Sequence, residues 1–299
     1  MSHLASPLSS RLLRWYRQHG RVLPWRKTTN AYRIFISELM LQQTQVERVV
    51  PKYQSFIKQF STWKSLAEAK SADLIHAWAG LGYNRRVLYA REAAEEVVRN
   101  GIPSSETDWR KLKGVGPYMA AALTEFATGE RAIVIDTNIR RVMGRMIGIL
   151  FPTPQDDPRI QRVLERETPL TKGHAEFPQA LMDLANAVCT VRRPMCSVCP
   201  LQKDCRSAQE FLRGDVVKPT RRGPTERMHE EKPHPDRIYR GKILAWIRLH
   251  GATKVAALGP HIDSTYEAIA DQEWVEAMVE RLIKDGLLIK RGKDRISLP

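Results

Sequence analysis

No run of apolar residues in this chain comes near the ~20 that a membrane-spanning helix requires. The segment Met1–Val22 has leucines broken up by Arg11, Arg14 and Arg17, so it lacks the apolar core of a secretory signal. No membrane association is therefore expected. The expected location is the cytoplasm, on the nucleoid if the cell is prokaryotic. Cysteine is scarce: the 299 residues hold 4, all between Cys189 and Cys205. That distribution excludes a disulfide framework spread through the fold and points to metal in an intracellular chain. Acidic residues are also short, 33 against 48 Lys and Arg, for a formal net charge of +15. A basic excess favours a polyanionic partner. Charge alone puts nucleic acid only slightly ahead of anionic lipid or simple solubility.

What is present is a helical pattern. Apolar residues recur at three- and four-residue spacing in Leu8–Tyr16, Ile34–Leu41, Val46–Phe60, Leu66–Trp78, Arg86–Val98, Met119–Ala127 and Phe177–Val188. Glycine and proline punctuate them at Gly80, Gly82, Gly101–Pro103, Gly114–Pro117, Pro152 and Pro154. The one short β-like run is Ala132–Ile135. The fold class is all-α, with residues 1–212 as the main domain. Residues 213–236 carry Pro219, Pro224, Pro233 and Pro235 with Arg221 and Arg222 and read as a basic linker. Residues 237–299 offer two helix-like stretches, Ile238–Leu249 and Glu273–Asp285, then a basic hairpin ending in Arg295-Ile296-Ser297-Leu298. This is expected to be a small winged-helix-like α+β domain, a class that binds DNA or protein. No internal repeat is evident.

Several residues carry possible chemistry. The spacing Cys189-x6-Cys196-x2-Cys199-x5-Cys205 suits tetrahedral zinc or an iron–sulfur cluster. Zinc ribbons use two close pairs, and only one pair is close here, which tilts the reading toward a cluster. Leu112-Lys113-Gly114-Val115-Gly116 reads as a helix end and a tight turn before the next helix, either an anion site built from backbone N–H groups or just a turn. Asp136 follows the apolar run Ile133-Val134-Ile135 at the start of a helix. It is a natural N-cap, and a helix N-terminus also keeps a carboxylate ionised. Arg140, Arg141 and Arg145 follow it as phosphate contacts or a solvated face. Glu38 lies in the apolar string Ile34–Leu41. It is either a helix-flank residue or a buried carboxyl whose pKa rises as a general acid requires.

The stretch Met182–Cys189, followed by Arg193-Pro194-Met195-Cys196-Ser197-Val198-Cys199-Pro200-Leu201, resembles the [4Fe–4S] loop of the endonuclease III and MutY superfamily of DNA glycosylases. Leu112–Gly116 resembles the superfamily's helix-hairpin-helix, and Asp136 its catalytic aspartate. Ser37-Glu38-Leu39-Met40-Leu41-Gln42-Gln43-Thr44-Gln45-Val46 resembles the signature of the MutY-type adenine glycosylases. Leu23-Pro24-Trp25-Arg26 is similar to the family's adenine-pocket motif, and Gly80-Leu81-Gly82-Tyr83 to its wedge loop. The resemblance spans about residues 20–206, with motifs in the family's order.

It implies a two-lobed helix-hairpin-helix fold, a [4Fe–4S] cluster on Cys189, Cys196, Cys199 and Cys205, and double-stranded DNA bearing a mispaired or damaged base as the partner of a monomer. It further implies release of adenine opposite guanine or 8-oxoguanine. Glu38 would protonate the leaving base, and Asp136 would stabilise the oxocarbenium-like sugar. Tyr118 stands where endonuclease III-type enzymes carry a Schiff-base lysine, which implies a monofunctional enzyme. Trp25 would line the base pocket or else pack in the core, and Arg26 would hydrogen-bond the flipped base or a neighbour. Gln42 belongs to the same string, and Gln43 and Tyr83 would refill the gap left by the flipped base. Gly114, Val115, Gly116, Arg140 and Arg141 would hold the backbone. The sequence departs from the pattern at Asn84, where the family has a second Tyr, and at Thr137, where it has Gly. It also departs in its tail, which is not Nudix-like. Two further readings stay open: a glycosylase for thymine or uracil opposite guanine or for another damaged base, and a non-catalytic redox-sensing DNA-binding protein.

Overall fold

The computed structural model describes residues 6–169, 174–214, 216, 227–229 and 232–299. Most of the expected Pro-rich linker, Pro219 and Pro224 included, lies outside the described residues. In chain order the helices are α1 (Pro7–His19), α2 (Ala31–Leu41), α3 (Val46–Gln59), α4 (Trp63–Ala67), α5 (Ser71–Ala77), α6 (Arg85–Asn100), α7 (Glu106–Trp109), α8 (Pro117–Leu123), α9 (Thr137–Met146), α10 (Asp157–Glu167), α11 (Glu176–Ala187), α12 (Ala208–Arg213), α13 (Asp236–His250), α14 (Gly259–Ile262) and α15 (Ala268–Lys284). Three short strands, β1 (Thr253–Lys254), β2 (Ile289–Arg291) and β3 (Arg295–Ser297), complete it. Among the described residues no helix is long and apolar enough to cross a membrane.

The chain forms two compact units, one from residues 1–35, 103–111 and 115–220, the other from 36–102, 112–114 and 221–299. The first is built on α1 and α8–α11. Ile139, Val142, Met143 and Met146 recur at three- and four-residue spacing along α9 and bury against Leu12, Ile160, Phe177, Leu181 and Leu184. Its α8 passes into a π-helical turn over Thr124–Thr128. The run Ala132–Ile135 forms no strand; it is extended chain, pinned where Ala132 N donates to Glu125 Oε2 at 2.6 Å.

The second unit packs α3–α6 around Trp78, whose ring meets Phe56 edge-on at 5.8 Å. It also contains the C-terminal domain. There α13, α14 and α15 stack beside an antiparallel sheet of order β1-β3-β2, with Ile289 opposite Ser297 and Arg291 opposite Arg295. Tyr239 and Trp274 meet edge-on at 4.8 Å in its core.

Two boundaries differ from expectation. Residues 1–212 do not form one body, because residues 36–102 and 112–114 group with the tail. The C-terminal domain also begins before residue 237. Lys232, 4% exposed, places Nζ 2.8 Å from Asp263 and 2.6 Å from Asp271. The backbone N–H of Asp236 donates to Arg227 O at 2.9 Å. A buried charge persists only when paired, and these partners lie some thirty residues downstream, where no local pattern reveals them.

Candidate active site and cysteine pocket

Glu38 sits in α2, 7% exposed, beside the fully buried Ser37. Three residues after α2 ends, the chain turns through Thr44, and Gln43 takes a left-handed φ of 55°. The wedge-like loop has the same property: Tyr83 has φ 45° and is 55% exposed, flanked by Gly80 and Gly82 at φ 87° and 71°. Such backbone costs on the order of 1–3 kcal/mol per residue and persists only where the surroundings enforce it.

The enforcing group is Arg86. Its Nη1 donates to Leu39 O at 2.7 Å and Gln42 O at 2.6 Å, and its Nη2 to Leu81 O at 3.3 Å and Gly82 O at 3.2 Å. Its guanidinium also lies 5.3 Å from the Tyr83 ring centroid and 5.6 Å from that of Trp78. Burial pushes its pKa down to about 10. One cation thus fastens both loops. The sequence pattern marks Arg86 only as the start of the helical run Arg86–Val98 and gives no sign of this role.

The glycine turn is placed as expected, with Gly114 at φ 80° and its Cα side closed by Tyr89, where a Cβ would come within 3.2 Å. Gly116 caps α8 in extended backbone and is open to solvent, and Val115 is buried. Tyr118 lies half-buried on α8 against the core of the first unit.

Asp136 is the N-cap of α9. Its Oδ1 accepts from the N–H of Asn138 at 2.9 Å and of Ile139 at 2.6 Å, and Oδ2 accepts from Asn138 Nδ2 at 2.8 Å. Asn138 Oδ1 in turn accepts from Arg141 Nη2 at 3.1 Å, and Arg141 Nε donates to Cys189 O at 2.7 Å. A continuous chain of hydrogen bonds therefore joins the carboxylate to the first cysteine. Thr137 has ordinary helical backbone, so a glycine there is not required.

The arginines of α9 depart from their reading as phosphate contacts or a solvated face. Arg145 is 2% exposed and donates to Thr190 O at 2.8 Å, Val191 O at 3.0 Å and Cys189 Sγ at 3.4 Å. Arg140 forms a bidentate pair with Asp157 at 2.5 and 2.7 Å, and Arg141 is spent on carbonyls. Guanidinium groups this close to fixed acceptors serve the fold. Replacing Arg141 by Met is expected to cost about 2–4 kcal/mol, because it strands the Cys189 and Ala185 carbonyls without their donor. A urea titration compared with wild type measures this, and a change below ~0.5 kcal/mol would refute the strut.

Arg26 likewise does not reach outward. Its Nη1 and Nη2 donate to the buried Asp183 at 2.7 and 2.9 Å, beside Arg21 Nε at 2.7 Å. Burial alone would raise the Asp183 carboxyl, but the hydrogen bonds from Arg26 and Arg21 outweigh it and hold it below the usual carboxylate range. Trp25 is buried, as the core-packing reading of it requires.

All four cysteines line one pocket with Arg145, Val188, Pro194, Gln202, Ala208 and Phe211. The Arg145 guanidinium lies 4.4 Å from the Phe211 ring centroid. Burial pushes the Cys199 thiol up to about 11 and raises those of Cys196 and Cys205. Among the described residues no group of three or more His, Cys, Asp or Glu side chains is arranged to hold a metal ion.

A family model described as the HhH-GPD superfamily base excision DNA repair protein matches residues 36–169. The adenine DNA glycosylase of Mycobacterium tuberculosis is 32% identical over 293 residues, 96% of this chain and 92% of that protein. The chain belongs to the HhH-GPD superfamily of base excision DNA repair proteins. The human adenine DNA glycosylase is 36% identical over 66% of this chain, which spans 39% of it, and that of Buchnera aphidicola (subsp. Baizongia pistaciae) is 35% identical, with 57% of its length spanned. Among solved structures, a thermostable thymine-DNA glycosylase superposes with TM-score 0.63 at 26% identity, covering 68% of this chain and 95% of that one. A trapped endonuclease III–DNA covalent intermediate gives TM-score 0.58 at 18% identity over 69% of this chain and 95% of that one, a likeness of fold.

Proposed function

We propose that this protein is a monofunctional DNA glycosylase that releases adenine mispaired with guanine or 8-oxoguanine and leaves an abasic site. The observation that carries this reading is the buried Glu38, one helical turn before the Gln42–Gln43 turn that Arg86 fastens. Cleavage of an N-glycosidic bond needs one carboxyl to protonate the leaving base and one carboxylate to face the cationic sugar. Glu38, removed from water, suits the first task. Asp136, held by two backbone N–H groups at a helix N-terminus, suits the second. Tyr118 has no amine and forms no imine, so strand scission by β-elimination is weak or absent.

An apolar pocket lined by all four thiols fits a [4Fe–4S] cluster held by Cys189, Cys196, Cys199 and Cys205. The bound cluster would supply a cross-link for the loop that presents Arg192, Arg193 and Lys203. Replacing Cys199 by Ser is expected to lower iron content, thermal midpoint and DNA affinity together. A soluble, iron-free variant with normal DNA affinity would contradict that role.

Asp136→Asn separates capping from chemistry. Asn caps about as well as Asp, so stability should change by under ~0.5 kcal/mol while base release falls about 10³-fold. Equal losses in both would leave Asp136 only a cap.

The overall test uses end-labelled duplexes bearing A·G, A·8-oxoguanine, T·G and U·G, followed by alkali. The expected result is strand breakage at the two adenine mispairs, and only after alkali. The likeness to the thymine-DNA glycosylase keeps one second reading alive, and breakage at T·G alone would adopt it. The protein would act as a monomer on double-stranded DNA in the cytoplasm.

A further inference from the structure

In many winged-helix domains the third helix enters the DNA groove. In this domain that helix is α15, and its solvent face carries Glu273, Glu276 and Glu280, all exposed, three and four residues apart. Such a stripe repels a phosphate backbone. The hairpin after it is the opposite. Lys290, Arg291, Lys293 and Arg295 are exposed on β2, β3 and the turn between them. The single acid of that turn, Asp294, pairs with Lys254 at 3.4 Å.

The domain is also docked where DNA is expected. Arg248 Nη2 donates to Asn84 Oδ1 at 2.8 Å, and Arg85 pairs with Asp285 at 3.2 Å. Asn84, one of the positions that departs from the family pattern, is thus the seat of the tail, directly after Tyr83. At the end of α15, Lys284 lines a cavity with Lys113 of the glycine turn, Arg85, Arg91, Tyr89 and Glu92. Arg85 and Lys113 lie 5.1 and 5.3 Å from the Tyr89 ring centroid. Asp285 is claimed by Arg85 and Arg240, so the cavity keeps a positive balance.

We propose that the C-terminal domain is a second grip on the DNA backbone: Lys284 extends the phosphate contact of the glycine turn beside Lys113, Lys290 and Lys293 of the wing hold the flanking duplex, and the acidic face of α15 stays off the DNA. The inference rests on the reading of the chain as a DNA glycosylase. It assigns to the tail a sequence-independent role in affinity, since backbone contacts position a protein without reading bases.

The test is the salt dependence of binding by the full chain to matched and A·G-containing duplexes between about 50 and 200 mM salt. The variant K284Q/K290Q/K293Q should lose about 0.9 in the slope of log K against log salt for each phosphate contact removed, and bind both duplexes ~10-fold or more weakly near 150 mM. A wild-type slope and affinity would overturn the grip. The variant E273Q/E276Q/E280Q should bind as wild type. A gain in affinity as large as the lysine variant's loss would put α15 on the DNA and also overturn it. The two readings fail separately. An active wild type with unaltered slopes in the lysine variant removes the grip alone, whereas a wild type that releases no base, yet shows the slope change, removes only the enzymatic assignment.

Discussion

Glu38→Gln should lower the single-turnover rate of adenine release by about 10³-fold, within the range that a positioned general acid contributes. Glutamine keeps the length and the hydrogen-bonding reach of the side chain, so folding and duplex affinity should stay near wild type. What it lacks is the proton. Glu38 is 7% exposed in a helix whose neighbours Ile34, Phe35, Ile36, Leu39 and Met40 are buried. Burial of this kind favours the neutral form of a carboxyl, which is the form the proposed proton donor requires. Rapid-quench measurement on an A·G duplex at saturating protein gives the rate. A variant retaining more than a tenth of it would remove Glu38 from the reaction.

Arg86→Leu is expected to be the most damaging change outside the carboxylates. It deprives the Leu39, Gln42, Leu81 and Gly82 carbonyls of a shared donor and frees two residues, Gln43 and Tyr83, from left-handed backbone. The expected loss is about 3–5 kcal/mol of stability, since each stranded carbonyl costs on the order of 1 kcal/mol or more. Arg86→Lys should recover only part of it, because an ammonium cannot span acceptors on both loops at once. Denaturant unfolding measures the loss, and base release by the Lys variant reads the loops while the protein is still folded. A loss under ~1 kcal/mol for Leu would show that the loops stand without this cation.

The helical class, the tail and the motifs were legible because each is written in local pattern. Apolar spacing in α9 and α11, a glycine pair before α8 and thiols within one short segment need no knowledge of distant partners. The arginines were not legible. Arg26 was read as reaching for a base, yet its partner Asp183 lies 157 residues away. The pattern offers Arg140 as a phosphate contact or part of a solvated face, yet Asp157 pairs with it. In a chain of charge +15 every cation looks destined for DNA, and the carboxylates that take them up carry no local signature. Lys232 was read as linker for the same reason, its two aspartates being far along the chain. Asp136 was legible as an N-cap, because an acidic residue between an apolar run and a helix is a local pattern.

Arg86 holds the two loops chiefly by their carbonyl oxygens, the Tyr83 ring adding a contact at 5.3 Å. The tips therefore behave as exchangeable bits on a fixed shank. Asn or Gly, which accept left-handed backbone readily, can replace either residue with the stem intact. The chemistry of the two tips can then be varied by redesign without loosening the frame that carries them.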